Sequence, residues 1–235
     1  MKTFNRVSVV GLGKLGSPMA ACIAAKGVEV IGVDLDAQKV TAIQQKRPPV
    51  YEPGLAEMIQ KAGERLTATQ NLSEAVRNSE ATFIVVATPS QPDGHFSLSY
   101  VLPVCEVIGE VLRTKEEWYT VVITSTVSPL SMDEQIRPTL ERVSGKKAGK
   151  DFGLAYNPEF IALGTVIRDF LNPDLVLIGE SDTRTGDLLE AFYRKILDRE
   201  PAFARMNFVN AELAKLSINT FVTTKISFAN MSAAL

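Results

Sequence analysis

The sequence is poor in the residues that build metal centres and disulfide frameworks. Its 235 residues include only two cysteines, Cys22 and Cys105, and one histidine, His95. No Cys-x-x-Cys pair and no cysteine–histidine cluster occurs, so neither a structural zinc nor a set of disulfides is indicated. The cysteines fall in helix-like runs and His95 in a Pro-Gly loop. We assign none of the three to catalysis and predict no metal site.

Excess charge of one sign and long apolar runs are also lacking. Lys and Arg number 25 against 27 Asp and Glu, a net charge of −2 that indicates neither a nucleic acid nor an anionic membrane as a partner. No apolar run reaches transmembrane length, and no signal-peptide pattern opens the chain. With 46% hydrophobic and 22% charged residues, the composition is that of a globular protein, which we expect to be cytoplasmic.

The feature around which the chain is organised is a strand followed at once by spaced glycines. Val7 to Val10 form a β-branched run, and Gly11, Gly13 and Gly16 follow in G-x-G-x-x-G spacing before a helix pattern. The first glycine permits a tight turn, the second lets the backbone approach a pyrophosphate, and the third lets helix and strand pack closely. The helix N-terminus then offers free N–H groups to phosphates. The sequence therefore predicts a dinucleotide site, with a turn that binds nothing as the alternative.

An acid at the end of the next strand indicates which dinucleotide. The apolar run from Val28 to Val33 ends at Asp34, 18 residues after Gly16. A carboxylate there accepts hydrogen bonds from a ribose 2′-hydroxyl and repels a 2′-phosphate. We therefore predict NAD as the cofactor.

Strand and helix patterns alternate through residues 1–205, which predicts a doubly wound parallel sheet of the Rossmann-like α/β class. The predicted strands are 7–10, 28–33, 66–69, 82–87, 120–124, 152–156, 175–178 and 202–206. The predicted helices are 17–26, 37–45, 55–61, 99–112, 131–143 and 187–197, with a loop and helix between 159 and 168.

The last 26 residues, from Asn210 to Leu235, differ from the rest of the chain. They contain no glycine or proline and only three charges, Glu212, Lys215 and Lys225. A helix that is apolar on nearly all sides has to be buried on nearly all sides. We therefore expect residues 206–235 to begin a second, helical domain that forms a homodimer, and the chain to be a fragment cut within that helix.

Candidate catalytic residues lie where the strands end and on the last helix. Ligands of open α/β sheets bind beyond the carboxyl ends of the strands, where Thr88, Thr126 and the run from Asn157 to Gly164 are expected. Glu159 in that run is a candidate general base, or alternatively the cap of the following helix.

Lys215 and Asn219 are spaced i, i+4 and so share one helix face. They are candidates to stabilise a developing oxyanion. Alternatively, the lysine extends to solvent beside a capping or core asparagine.

Several separate motifs occur in the order seen in one family. They are Gly11-Leu12-Gly13-Lys14-Leu15-Gly16, Tyr51-Glu52-Pro53-Gly54-Leu55, Thr88-Pro89, Ser125-Thr126-Val127, Tyr156-Asn157-Pro158-Glu159-Phe160, Gly164-Thr165, Asn172-Pro173-Asp174 with Ile178-Gly179, and Ala211-Glu212-Leu213-Ala214-Lys215 through Asn219. In this combination the whole chain resembles the UDP-glucose/GDP-mannose dehydrogenases. The resemblance implies an NAD-dependent oxidoreductase of polysaccharide biosynthesis that oxidises C6 of a nucleotide sugar, of UDP-hexose type, from alcohol to carboxylate in two hydride transfers.

The resemblance also implies roles for individual residues. The cofactor-binding residues would be Gly11, Leu12, Gly13, Lys14, Leu15, Gly16, Asp34, Lys39 (where an arginine is common), Thr88 and Thr126. The catalytic residues would be Glu159, Lys215, Asn219 and Thr126. The residues that contact the sugar nucleotide would be Glu159, Phe160, Ile161, Ala162, Leu163, Lys215 and Asn219.

Three departures from the family pattern qualify this picture. Leu163 stands where a glutamate is common, and the loop at Ser128-Pro129-Leu130 differs from the usual Val-Pro-Val-Gly type. The nucleophilic cysteine of the family lies in a Gly-x-Cys-Phe-type motif beyond this chain, so we expect the fragment alone to be inactive. The alternatives are a β-hydroxyacid dehydrogenase similar to 6-phosphogluconate dehydrogenase, which also pairs a dinucleotide fold with a Lys-x-x-x-Asn helix, and a non-catalytic NAD-binding module.

Overall fold

A computed structural model describes residues 3–233, which form one eight-stranded sheet with helices on both faces. The strands are β1 (Arg6–Val10), β2 (Glu29–Val33), β3 (Leu66–Thr69), β4 (Ala81–Ile84), β5 (Thr120–Ile123), β6 (Gly153–Tyr156), β7 (Leu175–Glu180) and β8 (Ala202–Met206). The helices are α1 (Gly16–Ala25), α2 (Ala37–Gln44), α3 (Leu55–Ala62), α4 (Leu72–Arg77), α5 (Val101–Leu112), α6 (Arg137–Ser144), α7 (Val166–Leu171), α8 (Thr183–Ile196) and α9 (Phe208–Ala233).

The strands lie in the order β3-β2-β1-β4-β5-β6-β7-β8. The first six run parallel to one another, which confirms the predicted doubly wound sheet. The expectation of parallel pairing throughout is wrong at one place, because β7 runs antiparallel to β6 and β8 then follows β7.

The reversal at β7 follows from where the preceding helix, α7, is held. A parallel neighbour requires a connection that crosses back over the sheet, whereas an antiparallel neighbour starts from the edge at which the previous strand ended. After β6 the chain stays at the carboxyl edge, where the six-residue helix α7 is held against the loop that precedes α3. β7 therefore starts at that same edge.

Two hydrophobic cores lie on the two faces of the sheet. The core on one face joins the sheet to α1, α3, α7 and α8, with Phe83, Phe170 and Phe192 among its fully buried side chains. The core on the other face joins the sheet to α5, α6 and the start of α9, with Tyr119 and Phe208 among its side chains. Because α1 packs against both α3 and α7, the glycine turn and the loop after β6 share one scaffold.

The helices differ from the sequence prediction in four places, of which the smallest is α7, which runs to Leu171 and not to residue 168. Helix α4 was not predicted; Asn71 caps it by accepting a hydrogen bond from the Glu74 amide. The predicted helix 131–143 begins with a π-helical turn at Met132–Ile136 before α6. Helix α8 starts four residues earlier than predicted, at Thr183, because the carboxylate of Asp182 caps its first turn.

Helix α9 follows β8 after a single residue, Asn207, whose side chain accepts a hydrogen bond from the Asn210 amide. The predicted helix is confirmed, although its predicted end at residue 235 lies outside the described residues. Within the described residues only its first two turns are packed against the sheet, so its burial by a second domain or a partner stays a prediction. The exposed apolar side chains are Leu213, Ile218, Phe221, Val222, Ile226, Phe228 and Met231.

Candidate active site

The turn between β1 and α1 has two glycines that the protein itself requires. Gly11 has a φ of +100°, and a Cβ on it would lie 2.5 Å from the carbonyl oxygen of Val85. A Cβ on Gly16 would lie 1.8 Å from the carbonyl oxygen of Gly11. Neither position admits a side chain: Gly11 is required by the close approach of the chain after β4, and Gly16 by the packing of α1 against the turn.

Gly13 and the amides that follow it are open to a ligand. A Cβ on Gly13 would have no atom within 4 Å, so packing within the chain does not require a glycine at this position. Among residues 3–233, no hydrogen bond uses the backbone N–H groups of Lys14, Leu15 or Gly16. Free amides at the start of a ten-residue helix, with a side-chain-free position beside them, fit the pyrophosphate of a dinucleotide.

Leu12 is part of the internal packing and hydrogen bonding of this turn. Its side chain is fully buried and lies under Gly32. Its N–H donates to the carboxylate of Asp34 and its carbonyl accepts from the hydroxyl of Ser17. Both backbone groups are thus used within the chain, and the predicted cofactor contact of Leu12 stays a prediction.

Asp34 is held in place by three donors. Its carboxylate accepts from the amides of Leu12 at 2.7 Å and Asp36 at 2.9 Å, and it pairs with Lys39 Nζ at 3.1 Å. The carboxylate therefore lies directly beside the glycine turn, where the adenosine ribose of a dinucleotide sits in this fold. Lys39 reaches the site through Asp34, whose charge it balances.

Thr88 and Thr126 both lie in the loops at the carboxyl edge, and both are partly exposed. Ser125, which the sequence analysis did not assign, links those loops because its hydroxyl donates to the Val86 carbonyl at 2.6 Å. This hydrogen bond fixes the spacing of the loops after β4 and β5.

Glu159 lies beyond the end of β6 against a buried pair formed by Asn157 and Tyr193. The Nδ2 of Asn157 donates to the Leu177 carbonyl, which turns the Oδ1 of Asn157 toward the Tyr193 hydroxyl at 2.5 Å. The same hydroxyl lies 3.2 Å from Oε1 of Glu159. Tyr193 has a single proton, and the amide oxygen of Asn157 only accepts. The Tyr193 hydroxyl therefore lies between two acceptors; it donates mainly to the nearer one, Asn157, and more weakly to Glu159.

Burial raises the pKa of Glu159 to about 7, although the hydrogen bond from Tyr193 and the charge of Lys215 both act to lower it. The acid and its conjugate base are thus both populated near neutral pH, as general acid–base catalysis requires. The alternative reading of Glu159 as a helix cap is wrong, because the carboxylate of Glu52 holds the start of α7.

Lys215 is buried, with an exposed fraction of only 5%. Its Nζ donates to the backbone carbonyl of Glu159 at 2.5 Å and lies 4.5 Å from the centre of the Phe160 ring. Burial lowers the pKa of Lys215, while the nearby Glu159 opposes this change. The alternative of a lysine extended into solvent is therefore wrong, and the ammonium group is held over the loop after β6.

Asn219 lies one turn further along α9 and is exposed. Within the described part of the chain its side-chain amide makes no hydrogen bond, and its carbonyl accepts from the Thr223 hydroxyl. The structure thus unites Glu159 and Lys215 but leaves Asn219 outside their contacts. Of the other predicted substrate residues, Phe160 and Ile161 are half-buried, whereas Ala162 and Leu163 are exposed.

Two buried acids that sequence reasoning left without a role hold these loops. Glu212 on α9 accepts from the amides of Leu130 at 2.7 Å and Met132 at 2.8 Å, which fixes Leu130 at a φ of +71°. Glu52 makes an equivalent pair of contacts at the start of α7. The sequence does contain a signal for each of them: Glu212 is an acid within an apolar helix, and Glu52 is an acid next to a Pro-Gly turn.

The remaining nucleophiles do not join the site. Burial raises the pKa of both Cys22 and Cys105 to about 12, so neither supplies a thiolate near neutral pH. His95 is exposed in the loop after β4. Across residues 3–233 no helix combines the length and the apolarity that crossing a bilayer requires.

Comparison with known proteins agrees with this geometry. The sequence model described as "UDP-glucose/GDP-mannose dehydrogenase family, NAD binding domain" matches residues 5–197. The GDP-mannose 6-dehydrogenase of Pseudomonas aeruginosa is 41% identical over 227 residues, which are 96% of this chain and 51% of that protein. A UDP-glucose 6-dehydrogenase of Haloferax volcanii is 36% identical over 95% of this chain and 53% of its own length.

Solved structures give the same result. A ternary complex of GDP-mannose dehydrogenase from Pseudomonas aeruginosa superposes with a TM-score of 0.91 at 42% identity, covering 96% of this chain and 51% of that one. The UDP-glucose dehydrogenase of Pyrobaculum islandicum gives 0.89 at 35% identity, covering 97% of this chain and 52% of that one. The chain spans about half the length of the curated relatives it matches. It belongs to the UDP-glucose/GDP-mannose dehydrogenase family and carries that family's NAD-binding domain.

Proposed function

We propose that this chain is the NAD-binding part of a nucleotide-sugar 6-dehydrogenase, which oxidises the C6 alcohol of a nucleotide sugar to a carboxylate. The observation that carries the proposal is that Glu159 and Lys215 meet at the edge of the sheet that also bears the open glycine turn. β1 and β6 are parallel members of one sheet, so Gly13 and Glu159 follow strands that end at the same edge. A bound cofactor and a substrate at Lys215 would therefore share one crevice.

The cofactor site is assigned to the glycine turn and Asp34. The amides of Lys14, Leu15 and Gly16 would bind the pyrophosphate, and the carboxylate of Asp34 would accept the ribose hydroxyls. When bound there, NAD supplies the hydride acceptor of the reaction. Thr88 and Thr126 would line the path between the adenosine and the reacting carbon.

Lys215 would stabilise negative charge on the oxygen attached to C6. An ammonium group has three donors, and the carbonyl of Glu159 takes one, so donors remain for a substrate oxygen. Because the lysine is nearly buried, its charge acts on that oxygen with little screening by water. Asn219, one turn away on the same helix, would add an amide donor once the substrate is present.

Glu159 would move protons in the step that consumes water. Its conjugate base would accept a proton from water during hydrolysis of the acyl intermediate, and the Tyr193 hydroxyl, which donates to the carboxylate, would keep it in position. The nucleophilic cysteine on which that intermediate forms is expected from the family resemblance in a part of the protein beyond this chain. Phe160, Ile161, Ala162 and Leu163 would contact the sugar nucleotide.

The test is steady-state NADH formation by the full-length protein. GDP-mannose, UDP-glucose, UDP-N-acetylmannosamine and UDP-N-acetylglucosamine form the panel, and we expect one of them to yield two NADH per sugar. A yield of one NADH, or activity only with a small hydroxyacid, contradicts the proposal. One relative is named for a GDP-linked sugar and the other for a UDP-linked sugar, so the panel includes both nucleotides.

We also propose that the exposed part of α9 forms a homodimer interface within a second, helical domain. Seven large apolar side chains on this helix are exposed in the described part of the chain, including Phe221 and Phe228. Contiguous exposed apolar surface on a soluble protein marks an interaction site. Light scattering of the full-length protein should give a dimer, and Phe221→Glu with Phe228→Glu should give a monomer. A dimer that survives both substitutions contradicts this assignment.

A further inference from the structure

The motif Tyr51-Glu52-Pro53-Gly54 has no role in the function proposed above, yet it contributes one of the few buried acids of the chain. Each carboxylate oxygen of Glu52 accepts one backbone N–H, from Gly164 at 3.1 Å and from Val166 at 2.8 Å. The two partners lie 112 and 114 residues further along the chain. Glu52 therefore joins the loop before α3 to the far end of the loop that follows β6.

That loop is held at three points by three different elements. Asn157 holds its start through the Leu177 carbonyl, and Lys215 holds its middle through the Glu159 carbonyl. Glu52 holds its end, where α7 begins. The stretch between the last two anchors, residues 160–163, is the stretch assigned to the sugar nucleotide.

The helix start cannot replace this anchor by itself. Thr165 stands at the cap position of α7, but its side chain makes no capping hydrogen bond there and instead contacts the Ala162 carbonyl and Asp169. Val166 is fully buried, so its amide has no access to water if Glu52 is removed. A buried amide without an acceptor is costly, and the loop would have to shift to find one.

Contacts with α3 and α7 fix the position of Glu52. Its own carbonyl accepts the Leu55 amide and so starts α3, and a Cβ on the left-handed Gly54 would lie 3.5 Å from the side chain of Ile167 on α7. The carboxylate is thus set by α3 on one side and by α7 on the other. We propose that Glu52 is a positioning residue for substrate binding, which sets the conformation of residues 160–163 without contacting the substrate itself. This inference rests on the proposed function.

The test compares Glu52→Gln with Asp182→Asn in the full-length protein. Asp182 is also a capping acid, but it lies beyond the end of β7, near the start of β6, away from the carboxyl edge. A glutamine accepts one amide and presents its NH₂ to the other, so we expect the KM for the nucleotide sugar to rise at least about tenfold. The KM for NAD should stay within about twofold, because the glycine turn is untouched. Asp182→Asn should lower the melting temperature and leave both KM values unchanged.

Two further readouts separate positioning from general damage. Amide exchange at Gly164 and Val166 should become faster in Glu52→Gln and not in Asp182→Asn. Glu52→Asp, which keeps the charge but is one methylene shorter, should give a KM between those of the wild type and Glu52→Gln. If Glu52→Gln fails to fold, the Glu52→Asp comparison decides alone.

An unchanged sugar KM in an active Glu52 variant overturns the inference and leaves the proposed function standing. Equal rises in the sugar and NAD KM values also overturn it. A wild type that oxidises no nucleotide sugar overturns the proposed function, and the inference with it.

Discussion

The glycine turn and the loop after β6 lie at one edge of the same sheet, but they are built in different ways. The turn is made mainly by local sequence, because Gly16 is required by the nearby Gly11 carbonyl, although Gly11 itself is required by Val85 after β4. The loop after β6 is made by contacts that span the chain, from Glu52, Tyr193 and Lys215. The glycine turn therefore depends largely on a short motif, whereas the proposed substrate side depends on contacts between distant segments of the chain.

The largest effect is expected from a side chain at Gly16. Gly16→Ala places a Cβ within bonding distance of the Gly11 carbonyl, so α1 must move away from the sheet, at a cost of about 3 kcal/mol or more. Gly13→Ala meets no atom of the chain and should leave the unfolding free energy within about 1 kcal/mol of the wild type. Both should lose NAD binding.

Thermal unfolding and an NAD titration of the two variants check this difference. A Gly13→Ala variant that binds NAD as the wild type does would contradict the phosphate assignment. Equal destabilisation by the two substitutions would contradict the separation of packing glycines from ligand glycines.

Replacement of Lys215 tests the substrate side. Lys215→Met keeps the length of the side chain but removes its charge, and kcat should fall by about 10²- to 10³-fold because a preorganised oxyanion partner is lost. Lys150→Met, in the exposed turn before β6 and away from the carboxyl edge, is the control and should have little effect. Steady-state kinetics with the preferred sugar gives both numbers, and a Lys215→Met enzyme with normal kcat would exclude the assigned role.

Glu159 should make both activity and stability depend on pH. Its conjugate base is the active form, so kcat should rise as pH increases through about 7. The native pKa is raised above the ordinary value of 4.5, so the native state binds more protons than the unfolded state between these values. This group's contribution to stability therefore falls as pH rises from about 4.5 to about 7.

Glu159→Gln mimics the protonated form and should be more stable than the wild type above pH 7, but not at pH 4. Glu64→Gln, at a nearly fully exposed acid, is the control and should change neither profile. Chemical unfolding at both pH values measures the difference, and parallel stability curves for Glu159→Gln and the wild type would show that Glu159 is not held as an acid.

The smallest effect is expected at Asp34. Asp34→Ser should weaken NAD binding by about tenfold and relax the bias against NADP, because the ribose acceptor and the charge facing a 2′-phosphate are both removed. Asp36→Ala removes the cap of α2 without touching the ribose position and is the matched control. Titration with both cofactors is the measurement, and unchanged affinities in Asp34→Ser would place the adenosine elsewhere.

Sequence reasoning succeeded where the signal is local. The first β-strand, the glycine turn and the position of Asp34 follow from spacing alone. All of the helices except α4 have a sequence pattern that predicts them. It failed where distant segments meet: the reversal of β7 depends on α7 remaining at the carboxyl edge, which no period in the sequence encodes. The same holds for Glu52 and Glu212, whose partners lie 80 or more residues away.

The single-residue connection at Asn207 has a consequence for how members of this family can vary in sequence. With β8 ending at Met206 and α9 starting at Phe208, the rotation of the helix about its own axis is set by the strand. Each residue added to or removed from that junction would turn every later side chain by about 100°. One inserted residue would rotate the amine of Lys215 away from the loop after β6 while leaving the sheet intact. Insertions and deletions in this family should therefore be absent at this junction and concentrated in the solvent-exposed loops.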